Sequence, residues 1–158
     1  MPRIRLALIL PLLLAAGACA DVRMATPQED QLGKRFEPPP QDKAAIYLYR
    51  EGILGALAPV TVQVAVPSGG LDVSLAYDTW VRLEGDPGPL EVRCAGDQQG
   101  MRLDIRPGET RYIEVSYRMA FKLSGGGCAV AEVSPQQGQR GVANGRRAIA
   151  GGGNAQQN

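Results

Sequence analysis

From residue 44 onward the apolar residues recur at every second position, which is the period of a β-strand. Val60, Val62, Val64 and Val66 alternate with Thr61, Gln63 and Ala65. Leu90, Val92 and Cys94 share one face against Glu91 and Arg93. Met101, Leu103 and Ile105 alternate with Arg102 and Asp104, and Ile113 and Val115 with Glu114 and Ser116. Strands of this kind have one face to bury and one for water. In the first of them Ala45, Tyr47 and Tyr49 alternate with Ile46 and Leu48, so both faces are apolar and a central position is expected. Shorter strands read over 71–75, 79–83 and 128–133. Pro67-Ser68-Gly69-Gly70, Asp86-Pro87-Gly88-Pro89, residues 96–100 and Pro107-Gly108 turn the chain between them. Seven or eight short strands without a convincing helix predict an all-β fold. The expected form is a two-sheet antiparallel β-sandwich of the immunoglobulin or transthyretin kind, with a closed barrel as the alternative.

The flanks of this segment, 44–134, read differently. Residues 19–43 are expected to form a tether. Pro38-Pro39-Pro40 holds it extended, because each ring fixes φ and biases the preceding residue away from helix. Thr26-Pro27-Gln28-Glu29 has the residues to start one helical turn. Residues 135–158 are rich in Gly, Gln, Asn, Ala and Arg without apolar periodicity, and read as a disordered tail in which Arg140, Arg146 and Arg147 are solvated.

Composition narrows the chemistry. The chain has no histidine, which removes Ser-His-Asp and Cys-His catalysis and histidine metal sites. Residues 19–134 carry a net charge of −4, which gives no footprint for nucleic acid. Glu84, Asp86 and Glu91 are the carboxylates closest to a glycosidase-like pairing, but they fall on outward positions beside a turn. Asp72, Asp78, Asp97 and Asp104 do not have calcium-loop spacing. No cofactor is expected and the reading is non-enzymatic.

Residues 1–18 begin with Arg3 and Arg5, run apolar over 6–16 and end in Ala16-Gly17-Ala18, directly before Cys19. The apolar run is too short to span a bilayer and reads as an export signal. Its junction with Cys19 resembles the lipobox of bacterial lipoproteins. The resemblance implies that the Cys19 thiol takes a diacylglycerol and tethers the mature chain to a membrane. Ala16-Gly17-Ala18 also fits the ordinary signal peptidase, which would release a soluble protein. Position 20 is Ala rather than Asp, and similarity to sorted lipoproteins then implies the outer membrane, facing the periplasm.

Several stretches together carry a broader resemblance. They are Phe36-Glu37-Pro38-Pro39, Ala45-Ile46-Tyr47-Leu48-Tyr49-Arg50, Tyr77-Asp78-Thr79-Trp80-Val81-Arg82-Leu83, Pro87-Gly88, Pro107-Gly108-Glu109-Thr110-Arg111-Tyr112 and Met119-Ala120-Phe121. In that order they resemble a family of small bacterial lipoproteins with one β-sandwich domain of unknown function. The rhythm of turn and strand is similar to PEGA surface modules. The resemblance spans roughly 27–142 and departs in its cysteine pair and in Ala120. It implies a role as a binding or accessory module in the cell envelope, with an envelope protein as the expected partner, and no catalytic residues.

Two sets of side chains remain as candidates. Cys94 and Cys128 both point toward the core by strand parity. In an oxidising compartment they are expected to pair as a disulfide, the alternative being two buried thiols too far apart to bond. Trp80 and Tyr77, with Tyr47, Tyr49, Tyr112 and Tyr117, would suit glycan or peptidoglycan fragments if they lay exposed. Otherwise they are sandwich packing. The anchor is the most directly testable reading. Cells fed an alkyne fatty acid should label the wild-type protein and not Cys19→Ser, and labelling that survives the substitution would remove the anchor.

Overall fold

The computed structural model describes residues 22–52, 59–118 and 127–151. The export signal expected over 1–18, Cys19, the 119–121 stretch and residues 152–158 lie outside them. Eight strands follow the predicted order: β1 (Ala44–Arg50), β2 (Val60–Val66), β3 (Gly69–Leu75), β4 (Thr79–Gly85), β5 (Gly88–Cys94), β6 (Met101–Ile105), β7 (Thr110–Arg118) and β8 (Gly127–Val133). A two-residue β9 (Arg146–Arg147) and the helices α1 (Pro27–Gly33) and α2 (Pro135–Asn144) complete the described elements. One sheet has the order β8-β7-β1-β4-β9 and the other β3-β2-β5-β6. They pack as the expected β-sandwich, antiparallel except where β1 meets β7 and β4 meets β9, which are parallel pairs.

The layer between the sheets follows the sequence alternation. Ile46 and Leu48 of β1, Val81 of β4 and Ile113 and Val115 of β7 face Val62, Val64, Val73, Leu75 and Val92 of the other sheet. β1 lies between β4 and β7, and all seven of its residues are buried. Its opposite face carries Tyr47 and Tyr49. Together with Trp80, Tyr112 and Val142 they form a second apolar cluster, joined by Phe36 and Val133. Tyr47 and Tyr112 stand opposite each other in register and their rings stack at 5.1 Å.

Covering this second cluster requires both chain flanks, which corrects two expectations. Residues 135–151 are not a disordered tail. Ser134 caps α2 by accepting from the Gln137 amide at 3.3 Å, with Pro135 in the first turn. Gly138, Gly141 and Val142 are the residues on the buried side of the helix. Residues 22–43 are not a free tether either. Thr26 and Glu29 form a reciprocal capping box on α1, with contacts of 3.3 and 2.8 Å. The Tyr47 hydroxyl donates to the Gly33 carbonyl at 2.9 Å, and the Arg147 amide donates to Asp30 Oδ1 at 2.7 Å. Lys34 Nζ reaches the Gly145 carbonyl at 2.6 Å. The two flanks are therefore tied to the sheet and to each other.

Glycine allows α2 to come this close. A Cβ on Gly138 would overlap Tyr112, and one on Gly141 would overlap the Tyr49 ring. Helix propensity alone predicts that Gly141→Ala stabilises the protein by about 1 kcal/mol. The overlap predicts the reverse, a loss of about 1–3 kcal/mol. Urea denaturation of the two proteins decides by sign, and a stabilised variant would mean that α2 does not pack on β1.

Candidate functional site at the open end of the sandwich

The two ends of the sandwich are built differently. At one end Cys94 of β5 and Cys128 of β8 form a disulfide with 5.8 Å between their Cα atoms. These strands belong to different sheets, so the bond staples the sheets together. With a sequence separation of 34, loop closure contributes roughly 3–4 kcal/mol. The Arg50 side chain is buried toward the same end and donates to the Leu75 carbonyl at 3.1 Å. Burial pushes its guanidinium pKa down.

At the other end the sheets part around a cleft of about 690 Å3. The register places the start of β1, the end of β4, the β2–β3 hairpin and the start of β5 together there. Ile46, Val64, Leu71, Leu83, Leu90 and Ile105 form its walls. The same residues bound the inter-sheet core, so the cleft continues the hydrophobic interior outward. Val66 stands at the mouth, 39% exposed. It is the last member of the Val60–Val66 alternation and lies beyond the β2–β5 pairing, which ends at Ala65.

Charges sit on the rim and are paired. Lys43 Nζ contacts Asp86 Oδ1 at 2.8 Å. That hydrogen bond and its charge hold the Lys43 ammonium above its ordinary pKa and the Asp86 carboxyl below its own. Glu84 is paired with Arg82 at 2.9 Å and Glu91 with Arg102 at 3.2 Å. Each carboxylate considered for acid–base work thus has its own cationic partner. Among the described residues no group of His, Cys, Asp or Glu is arranged to hold a metal ion.

The aromatic candidates do not line this cleft. Trp80 is fully buried in the layer under α1 and α2, with the Arg147 guanidinium 5.6 Å from its ring centroid. Tyr47, Tyr49 and Tyr112 are buried in the same layer. The exposed aromatic surface suggested for glycan stacking is therefore interior packing, because the flanks cover it. Tyr77 is half-buried in the turn between β3 and β4, at the disulfide end, where the neighbouring Asp78 side chain holds its hydroxyl above its ordinary pKa. What pattern reading missed is the cleft itself. The usable signal was Val66 continuing an apolar face into Pro67-Ser68-Gly69-Gly70.

Among the described residues no helix is long and apolar enough to cross a membrane. Comparison with known proteins gave no matching family model and no matching curated protein.

The buried aromatic layer has a measurable consequence. Burial raises the Tyr47 and Tyr49 hydroxyls above their usual 10.0, and for Tyr49 the Glu114 carboxylate adds to the rise. Below about pH 10 both phenols are neutral in the folded and the unfolded chain. Above it the unfolded chain ionises first, so stability falls as pH rises toward the folded-state values. Denaturation midpoints should stay flat on this account up to about pH 10 and then drop, with a smaller drop in Tyr49→Phe. An identical alkaline drop in that variant would place the Tyr49 hydroxyl in water.

Proposed function

We propose that this chain is a lipid-anchored, non-enzymatic module of the cell envelope that binds an apolar ligand or partner segment in the open end of its β-sandwich. The cleft is the observation that carries the reading. Its walls are core-type aliphatic residues, its rim charges are already paired, and Val66 offers apolar surface to solvent. Sites for small ligands commonly have this make-up, with volumes of ~300–1,000 Å3. The absence of histidine and the separate ion pairs of Glu84, Asp86 and Glu91 support a binding role over hydrolysis. The export signal ending at Cys19 supports attachment to a membrane, and Ala20 supports the outer membrane with the domain in the periplasm.

A photoreactive side chain placed at Val66 of the full chain tests the binding role in intact envelopes. It should capture a discrete adduct, whereas the same side chain at Gln98, by the disulfide, should not. Equal, diffuse labelling at both positions would count against the cleft as a site.

A further inference from the structure

We propose that the cleft is a slot for a long acyl chain and that the fold presents it to the membrane. The presentation rests on the anchor reading above; the binding does not. Arg146 and Arg147 pair in parallel with Thr79 and Trp80, and the Ala148 amide donates to the Trp80 carbonyl at 2.8 Å. The chain from 146 to 150 therefore advances along β4 toward Gly85, which lies in the cleft wall. Met24 bridges Ala148 in the antiparallel sense, and the Ile149 amide donates to the Arg23 carbonyl at 2.8 Å. Reading back from Ala25 to Val22 thus also advances toward the cleft. Val22 and Ala150 both pack against the inter-sheet core. Only Ala20 and Asp21 separate Val22 from Cys19, three steps of chain with a reach of at most about 11 Å. A lipid on Cys19 would hold the cleft end at the bilayer and the disulfide end away from it.

The shape and chemistry of the cleft fit the same ligand. Packed sheets lie about 10 Å apart, which leaves a slot for a single polymethylene chain where inward side chains thin out. Aliphatic walls at Ile46, Val64, Leu83 and Ile105 suit methylene groups, and the Lys43–Asp86 pair leaves no net charge at that point of the rim to select an ionic head group.

Cells producing the full chain would be fed a long-chain fatty acid with a mid-chain diazirine, which enters phospholipids and lipoprotein anchors alike. After irradiation of the envelopes, adducts on the digested protein are mapped by mass spectrometry. They should concentrate on peptides covering 64–71 and 83–90. They should fall about tenfold or more in Val66→Asp, which sets a carboxylate at the mouth, and persist in Ala65→Asp, an exposed control on the same strand. An adduct with phospholipid mass identifies a bilayer lipid as the occupant. A cross-link between the Cys19 peptide and a cleft peptide identifies the protein's own anchor. Adducts absent from the cleft while Cys19 is acylated, spread equally to 95–101, or indifferent to Val66→Asp would overturn the slot and leave the anchor standing. Cys19 without acyl mass would overturn the anchor alone. The slot is then read from the same fatty acid added to full-length Cys19→Ser, where an unlabelled cleft would overturn it too.

Discussion

Burial of β1 on both faces is the constraint on which the rest of the structure depends. Seven consecutive residues, Ala44–Arg50, are removed from water. A sandwich covers one face of such a strand and leaves the other to be covered by something else. Ile46 and Leu48 are met by the second sheet. Tyr47 and Tyr49 are met by α2, by Phe36 and by the turn after α1, all from segments outside the sandwich proper. Large aromatic side chains carry much of the burial energy of a small domain, of order 1.5–3 kcal/mol each. The two flanks are held because these rings need them. The ladder between Met24 and Ala148 follows from bringing both flanks to the same sheet edge.

The same arrangement makes the two ends unequal. The Cys94–Cys128 bond fixes the distance between the sheets at one end. Nothing covalent among the described residues does so at the other, where the β2–β3 hairpin and the β4–β5 turn border the cleft. Close packing fills the interior near the staple with Val62, Val73, Leu75 and Val92. Toward Val66 the side chains run out before the sheets do. An apolar space opens to solvent there, and the flanking segments 22–25 and 146–150 run along the sheet edge toward that same end.

Much of the sandwich was legible because period-2 alternation and Pro-Gly turns are local signals. All eight long strands lie where the alternation puts them, and the parity of Cys94 and Cys128 anticipated their bond. The parallel β1–β7 pairing was not legible, since register between distant strands leaves no mark in either one alone. The second helix was hidden by its own solution to packing. Gly138 and Gly141 lower helix propensity and Val142 is the single large aliphatic residue of α2, so the segment resembles a loop by composition. Its reason for being helical lies in Tyr49 and Tyr112, which are about ninety and thirty residues away. Trp80 was read on the correct face, opposite Val81, but exposure could not be judged without knowing what covers that face. The cleft was the least visible feature, because a void is a property of how two sheets meet.

The central claim is that both flanks belong to the fold and run together toward the cleft. Hydrogen exchange on the full chain measures this directly. The account predicts that the amides of Ala25 and Ile149, which donate between the flanks, and of Arg146 and Ala148, which donate to Asp78 and Trp80 at the β4 edge, are protected alongside those of β1. Exchange of these four at free-peptide rates, with β1 still protected, would contradict it.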